Sequence, residues 1–235
     1  MRCFTILDQV ILLKLSKRLQ QIEQMVTADY THIWDCCCDH GFLGASLLSR
    51  QAAQNIHFVD IVPELITSVE SKLQQFYQHS PATWQTHCLD VAKLPLQQYQ
   101  GKHLIIIAGV GGDLMSQFIN DIHQKNPQLN IDFLLCPVNQ QYTVRQKLIA
   151  LKFSLKNERL VEDKNRYYEV MLVSSTIDIN SPISAVGHDI WHSVNVTQAR
   201  AVKQYLEKTL DHYRRIQQGC TENVDDIINA YRSKA

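Results

Sequence analysis

The chain has 235 residues, of which 45% are hydrophobic, and its 23 basic side chains balance its 23 acidic ones. That length is enough for one sizeable domain core and a small appendage. The formal net charge of zero excludes nucleic-acid binding through overall basicity, so binding to a polyanion has to depend on a local excess of charge. Such an excess occurs at residues 141–175, with seven bases and four acids, whereas residues 35–100 carry six acids and three bases.

The N-terminal stretch lacks the features of a signal peptide. Its apolar run covers only residues 10–13, and the basic residues follow that run instead of preceding it. No segment has the apolar length that spans a membrane. We therefore expect a cytoplasmic protein with no membrane partner, whose seven cysteines stay reduced. Their odd number and irregular spacing also argue against a disulfide framework.

Short β-branched or aromatic runs alternate with segments of helical period, which is typical of an α/β domain with a mostly parallel sheet. The predicted strands are residues 32–37, 55–60, 83–88, 103–108 and 131–136. The predicted helices are residues 43–51, 63–77, 113–125 and 142–151. The runs "HLIIIAG" and "IDFLLCP" are apolar throughout, as expected for central strands covered on both faces.

Two further strand-like runs, residues 153–161 and 167–175, are separated by the polar turn "EDKN" and predict an antiparallel hairpin at a sheet edge. Five parallel strands followed by such a pair favour a Rossmann-like, seven-stranded class I methyltransferase sheet over a six-stranded, all-parallel nucleotide-binding fold. We therefore assign residues 1–175, including an N-terminal helix, to this domain.

Residues 176–235 are predicted to form a linker followed by a helical hairpin appendage. A coiled-coil-like seam recurs at spacings of three and four, and Gly219 stands where that helix would end. Thr221 could cap a second helix, and the seam could pair within the chain or across a dimer. The seam residues are Ala199, Val202, Leu206, Thr209, Tyr213 and Ile216, and the second helix would bury Val224, Ile227, Ile228 and Tyr231.

The stretch "WDCCCDHGFLG" at residues 34–44 is rich in residue types that bind metals. Adjacent strand residues point to opposite faces, however, and no second cysteine pair with zinc-site spacing occurs in the chain. We therefore predict no metal site and interpret the cysteines as small buried hydrophobic residues.

The position of this stretch is more informative than its cysteines. It follows the first predicted strand and precedes the first predicted helix, where α/β domains bind ligands. Asp35, Cys37, Asp39 and Gly41 fit the frame of an acid, small residues and a glycine that methyltransferases use at this loop.

Acids also end the next two strands. Asp60 lies about 20 residues after the loop, the usual distance of an acid that accepts from ribose hydroxyls. Asp90 could accept from an adenine amino group, although either acid alone could equally be a helix N-cap. After the fourth strand, Gly109 and Gly111 would let backbone pass close to a ligand, or would simply form a tight turn.

Several segments together resemble the bacterial tRNA (adenine-22-N1)-methyltransferases, the TrmK-like family. They are "LSKRL" at 15–19, "DCCCDHGFLG" at 35–44, "VDIVPELITSV" at 59–69, "IIIAGVGG" at 105–112, "LLCPVNQQYTVRQKL" at 134–148 and "EDKNRYYEVMLV" at 162–173. The resemblance implies a class I fold that binds S-adenosylmethionine and methylates N1 of an adenine in tRNA.

The resemblance also implies roles for individual residues. The methionine end of the cofactor would lie against the first loop, its ribose at Asp60, its adenine at Asp90, and the sulfonium and target base beside the glycines. Separately from the resemblance, the methylated base is cationic, so we hypothesise that the carboxylate of Asp39 stabilises it and take Asp39 as the candidate catalytic residue. The implied cofactor-binding residues are Asp35, Cys37, Asp39, His40, Gly41, Asp60, Asp90, Gly109 and Gly111.

This sequence departs from the family at a few positions. Cys37, Leu89 and Val91 stand where the family has glycine, and Cys136 stands where it has glutamine. The larger side chains at Cys37 and Leu89 could crowd the cofactor and weaken its binding.

For the tRNA we expect basic contacts and an aromatic or histidine partner for the unstacked base. The base partners would be His40, Phe42 or Tyr168, and the basic candidates are Lys17, Arg18, Arg145, Lys147, Lys164, Arg166, Arg214 and Arg215. Two alternatives stay open: a class I methyltransferase of a protein or small molecule, and a cofactor-binding or RNA-binding module that has lost catalysis.

Overall fold

The computed structural model describes residues 15–219 and 224–234. The apolar run at residues 10–13 and the predicted cap Thr221 lie outside the described residues. Within the described part, no helix has the length and apolar character needed to cross a membrane.

A seven-stranded sheet forms the centre of the molecule, with the strand order β3-β2-β1-β4-β5-β7-β6. The first five strands are parallel and β7 runs antiparallel to both of its neighbours, which confirms the predicted methyltransferase-type sheet. The strands are β1 (His32–Cys36), β2 (Asn55–Asp60), β3 (Thr83–Cys88), β4 (His103–Ala108), β5 (Ile131–Cys136), β6 (Ser154–Asp163) and β7 (Arg166–Ser174).

Helices cover both faces of this sheet, and the sheet separates the hydrophobic core into two layers. Ile106 and Leu134 face one half of the core, and Ile105 and Phe133 face the other, so the central strands are apolar on both sides. The helices of this part are α1 (Lys17–Gln24), α2 (Phe42–Ser49), α3 (Pro63–Phe76), α4 (Gly112–Lys125) and α5 (Gln141–Ala150).

The β6–β7 hairpin closes through a two-residue loop. Lys164 and Asn165 have φ angles of 50° and 62°, which is the left-handed geometry of a type I′ turn. This loop places Lys164 and Arg166 on the exposed tip of the hairpin.

The C-terminal part forms a helical hairpin of α6 (Val196–Gly219) and α7 (Asp225–Arg232). Leu206, Tyr213 and Ile216 of the predicted seam pack within the same chain, against a cluster that contains Val224, just before α7, and Ile228 and Tyr231 of α7. Tyr205, which lies outside the predicted seam, is also buried on α6.

Candidate functional site

The candidate site lies at the carboxyl end of the parallel strands, where β1 pairs with β2 on one side and β4 on the other. Ligands of open α/β sheets bind at this point, because the loops after the two strands diverge and leave a crevice. A cavity of about 320 Å³ opens there. It is lined by Arg18, Leu19, Asp35, Cys37, Cys38, Asp39, His40, Phe42, Leu43, Ala108 and Gly109.

Asp35 is fixed at the base of this cavity by the start of α2. Its Oδ2 accepts a hydrogen bond from the backbone N–H of Gly44 at 2.8 Å. Burial, together with the nearby charge of Asp60, raises the pKa of Asp35 to about 7. A Cβ at residue 44 would lie 2.3 Å from the ring of Phe58, so only glycine lets the helix approach this closely. Sequence reasoning did not single out Gly44.

Asp60 connects two loops of the site. Its Oδ2 accepts from the backbone N–H of Asp39 at 3.2 Å, and its Oδ1 accepts from the backbone N–H of Val62 at 3.1 Å. Asp60 therefore holds the first loop against the end of β2 and also fixes the turn that leads to Val62, just before α3. Asp60 itself is buried and is not one of the residues that line the cavity.

The third acid, Asp90, caps a short 3-10 turn at Val91–Lys93 by accepting from the backbone N–H of Ala92 at 2.9 Å. The charges of Asp60, Asp35 and Asp90 all act on the Cys37 thiol and contribute to raising its pKa. The three predicted strand-end acids are therefore near enough to Cys37 for their charges to act on its thiol, although only Asp35 of the three lines the cavity.

The cysteines of the loop are held as neutral thiols. Burial is the main reason that the pKa of Cys37 rises to about 12, and it also raises the pKa of Cys36 and Cys38. In the described part of the chain, the one group of three ligand-type side chains close enough to share an ion lies on the exposed turn of His188, Asp189 and His192.

The first loop follows a left-handed path. Cys37, Asp39 and Gly41 have φ angles of 56°, 50° and 73°, so β1 ends at Cys36, one residue earlier than predicted. The left-handed region costs a residue with a Cβ about 1–2 kcal/mol. Cys37 thus occupies a conformation suited to glycine, and its side chain forms part of the cavity wall.

The glycines after β4 have separate roles. Gly109 has a φ of 93° and borders the cavity. Gly111 lies beside Asn139 of the loop after β5, and it is not one of the residues that line the cavity. A Cβ at Gly112 would lie 2.6 Å from the backbone oxygen of Gln140, so this glycine is needed for close packing of the two loops.

Arg18 and Tyr168 separate this cavity from a second one. The guanidinium of Arg18 lies over the Tyr168 ring, 5.2 Å from its centroid. Tyr168 also lines a groove of about 350 Å³ between the hairpin and α6, together with basic and polar side chains. That groove is lined by Val138, Asn139, Gln140, Gln141, Asn165, Arg166, Tyr167, Tyr168, Tyr205, Lys208, Thr209, His212, Tyr213 and Tyr231.

Most of the predicted RNA-contacting residues lie on the surface. Lys17, Lys164 and Arg166 are exposed, whereas Arg214 pairs with Asp211 at 2.9 Å. Arg215 donates to the backbone oxygen of the same aspartate at 3.2 Å, and Lys147 is half-buried.

The prediction that Arg145 contacts RNA is wrong. Arg145 is fully buried, and its guanidinium donates to Glu169 at 2.7 Å and to Glu158 at 2.5 Å. Both glutamates lie on neighbouring strands of the hairpin, so the positive charge is compensated inside the protein and is not available to a phosphate group.

The sheet order and the strand-end crevice define a class I methyltransferase fold. The chain belongs to the family described as "Methyltransferase domain", whose model matches residues 15–171. No curated protein matches the sequence.

Solved structures of similar fold include TrmK from M. capricolum bound to S-adenosyl-homocysteine, with a TM-score of 0.73 and 17% identity over 93% of this chain and 96% of that one. The m1A22 tRNA methyltransferase TrmK of B. subtilis has a TM-score of 0.66 and 18% identity over 94% of this chain and 99% of that one. Magnesium protoporphyrin IX methyltransferase from Synechocystis, with bound SAM, matches with a TM-score of 0.53 and 14% identity over 68% of this chain and 80% of that one.

Proposed function

We propose that the chain is an S-adenosylmethionine-dependent methyltransferase that methylates N1 of an adenine in tRNA, adenine 22 by resemblance. The observation that carries the proposal is the cavity at the strand ends of a methyltransferase domain, which Asp35, Asp39 and Gly109 line, with Asp60 holding its first loop through the backbone N–H of Asp39. The similarity to the two TrmK structures spans at least 93% of the chain and so extends beyond residues 1–175 into the appendage, whereas the similarity to the porphyrin methyltransferase covers 68%.

The residues present fit S-adenosylmethionine. The cavity of about 320 Å³ exists with the Cys37 side chain already in its wall, and it lies within the roughly 300–1,000 Å³ range of small-molecule sites. In this proposal Asp35, Cys37, Asp39, His40 and Gly41 hold the methionine end. Asp60 accepts from the ribose, Asp90 faces the adenine, and Gly109 borders the reacting atoms, with Gly111 further from them beside Asn139.

The cofactor, when bound, supplies a methyl group already activated by its sulfonium. The ring nitrogen of adenine carries its own lone pair, so the protein mainly has to align the two atoms and exclude water. Asp39 is 70% exposed at the cavity mouth with His40 3.6 Å away, and its carboxylate would stabilise the positive charge that the base acquires.

The groove beside the hairpin suits an RNA substrate. Arg166, Lys208 and His212 supply basic groups, and Tyr167 and Tyr168 supply aromatic faces. Aromatic faces stack unpaired bases, and cationic side chains contact the phosphates. Because Tyr168 also contacts Arg18 of the cofactor cavity, a base extruded from this groove would reach the site past the Tyr168 ring.

We also propose a division of the chain into a catalytic domain, residues 1–175, and a linker with a helical appendage, residues 176–235. A separate apolar cluster formed by Val186, Leu210, Val224, Ile228 and Tyr231 supports this division. The appendage would then supply one wall of the RNA groove, since α6 contributes Lys208 and His212.

The proposal is tested by calorimetry with S-adenosyl-homocysteine, followed by methylation of unmodified tRNA transcripts and mass spectrometry of the nucleosides. We expect binding of the cofactor product and formation of N1-methyladenosine on a transcript with adenine at position 22, and none when that position is guanine. Cofactor binding without tRNA methylation would indicate a methyltransferase of another substrate. Absence of binding would indicate a module without catalysis.

A further inference from the structure

Three side chains of metal-ligand type converge on one turn of the linker, between the sheet and the helical appendage. His188, Asp189 and His192 each offer one ligand atom, and these atoms all lie within 4.8 Å of one another. The Nδ1 of His188 is 2.8 Å from Oδ1 of Asp189, and the Nδ1 of His192 is 3.9 Å from the same oxygen. Both imidazole rings therefore present a nitrogen to one carboxylate oxygen.

The backbone that carries these side chains is held from inside the protein. Glu158 of β6 is fully buried and accepts from the backbone N–H groups of His188 and Asp189 at 2.6 and 2.7 Å. On the same turn, the indole N–H of Trp191 donates to the backbone oxygen of Val186 at 2.8 Å. The turn is thus anchored on its inner side, so its outward side chains start from fixed positions.

Two imidazoles and a carboxylate favour a transition-metal ion such as Zn²⁺. Imidazole nitrogen suits Zn²⁺, whereas Mg²⁺ and Ca²⁺ prefer oxygen ligands. Zinc binds histidine nitrogen and aspartate oxygen at about 2.0–2.2 Å, which puts two ligand atoms of a tetrahedron about 3.3–3.6 Å apart. The separations of 2.8 and 3.9 Å lie on either side of that value, so small rotations of the exposed side chains reach it.

The turn contacts both the sheet and the appendage. Its backbone is bonded to Glu158 of β6, and the Trp191 ring stacks on Tyr205 of α6 with centroids 5.6 Å apart. The edge of the same indole meets Tyr231 of α7 at 6.2 Å. None of the three ligand-type residues lines either of the two cavities described above, so their position indicates a structural role and not a catalytic one.

We propose that His188, Asp189 and His192 bind one Zn²⁺ ion, which stabilises the junction between the sheet and the helical appendage. The side chains are 69%, 50% and 70% exposed, so the ion reaches them from solvent and water takes the fourth coordination position. The prediction of no metal site was based on the cysteines of the first loop, which this turn does not include. The inference does not depend on the proposed function.

The test is a zinc titration of the full chain, stripped of metal with EDTA and kept reduced with a phosphine that binds zinc weakly. Competition with a chromophoric chelator measures the affinity, and metal analysis after dialysis counts the bound ions. We expect one tightly bound ion per chain. His188→Gln and His192→Gln each remove one ligand and are expected to lower the zinc affinity at least about tenfold, since even the loss of an outer-shell partner costs about 10- to 100-fold.

A matched control and a second readout sharpen the result. His79→Gln removes an exposed histidine outside the turn and is expected to keep the wild-type zinc affinity. Because the ion binds only the folded state, zinc at about 100 times its dissociation constant should raise the Tm of the wild-type protein by about 5–10 °C. The same zinc concentration should raise the Tm of His192→Gln much less. Substitutions of exposed side chains are expected to leave the zinc-free fold intact, which circular dichroism checks.

Three outcomes would overturn the inference. Zinc affinity that is unchanged in both His188→Gln and His192→Gln would place the ion on other groups, such as the cysteines. Equal affinities of the wild-type protein for Zn²⁺ and Mg²⁺ would show that a carboxylate attracts cations without a built site. Zinc binding that depends on both histidines but leaves the Tm unchanged would disprove the role at the junction.

Discussion

The Nε of Arg145 donates to Oε2 of Glu169 at 2.7 Å, and neither side chain is exposed to solvent. Glu169 also accepts from the hydroxyl of Tyr205 on α6 at 2.5 Å. The second partner of Arg145 is Glu158, which accepts from the backbone N–H groups of His188 and Asp189 at 2.6 and 2.7 Å. One buried ionic network therefore ties α5 and the hairpin to the helical appendage.

Arg145→Met is expected to lower the free energy of unfolding by about 3–5 kcal/mol, because it leaves two buried carboxylates without their cation. Urea unfolding monitored by circular dichroism would measure this loss. Arg166→Gln, at the exposed tip of the same hairpin, is the matched control and is expected to change stability by no more than about 0.5 kcal/mol. A methionine variant as stable as wild type would show that the network contributes little to folding.

Substitutions of Cys37 test whether its side chain, which stands in place of a glycine, weakens binding of the cofactor. Cys37→Gly is expected to retain or strengthen binding of S-adenosyl-homocysteine, because glycine adopts the φ of 56° without strain and widens the cavity. Cys37→Val is expected to weaken binding at least about tenfold, since a β-branched residue is a genuine outlier at that φ. Calorimetry on both variants checks this. Weaker binding by the glycine variant would mean that the thiol itself contacts the cofactor.

The sheet could be predicted closely from the sequence, and the reason is physical. The bounds of β2, β3, β4 and β5 were predicted to the residue. Continuous apolar runs mark the buried strands β4 and β5, whereas β-branched and aromatic residues mark the more exposed edge strand β3. The convergence of acids at the strand ends followed from the same topology, because parallel strands bring their carboxyl ends to one edge.

Arg145 and Gly44 show where such reasoning stops. A charged residue in a helical pattern is identical in sequence whether it faces water or two glutamates that follow 13 and 24 residues later. Gly44 matters because Phe58, on a neighbouring strand, occupies the space that a Cβ would need. Both features depend on residues that are distant in sequence and close in the fold. The local sequence pattern does not show which distant residues these are.

Because the pKa of Asp35 is raised, we expect cofactor binding to depend on pH. Its pKa is raised to about 7, chiefly by burial, so the carboxylate becomes charged as the pH rises through that value. If it receives the cofactor ammonium, affinity for S-adenosyl-homocysteine should rise with pH by up to about tenfold per unit below 7 and level off above it. Calorimetry at a series of pH values measures this. Asp35→Asn should bind weakly and without that rise, and an identical profile in the two proteins would contradict the assignment.

A row of buried histidines predicts acid sensitivity of the fold. His57 lies between His32 and His87, with ring nitrogens 3.1 and 3.0 Å apart, and it stacks on Trp34. Burial, with the neighbouring histidines, lowers the pKa of His57 to about 3. The unfolded chain therefore binds a proton that the folded protein does not, between about pH 6.5 and 3.

Stability should accordingly fall as the pH decreases through that window, by up to about 1.4 kcal/mol per pH unit for His57 alone. His57→Phe keeps a stacked ring but removes the titrating group, so its unfolding free energy should decline less steeply. Urea unfolding at several pH values compares the two slopes. Parallel slopes would show that His57 does not control the acid response.

The hairpin tip provides the most direct test of an RNA substrate. Lys164 and Arg166 are exposed there, and Arg166 lines the groove beside Tyr168. If each contacts a phosphate, the logarithm of tRNA affinity should fall linearly with the logarithm of salt concentration. Removing one contact should then reduce the slope by about 0.9. Arg166→Gln and Lys164→Asn are suitable, because asparagine tolerates the left-handed φ of 50° at residue 164.

Filter binding or fluorescence anisotropy with a full-length tRNA transcript, over a range of salt concentrations, gives the slopes. Arg232→Gln on α7 serves as the control with the same loss of charge and should keep the wild-type slope. Binding of S-adenosyl-homocysteine should remain unchanged in the hairpin variants, since neither residue lines the cofactor cavity. Slopes that match wild type in both hairpin variants would show that the hairpin tip does not contact tRNA phosphates. Lys208 and His212, on the opposite wall of the groove, would then be the next residues to substitute.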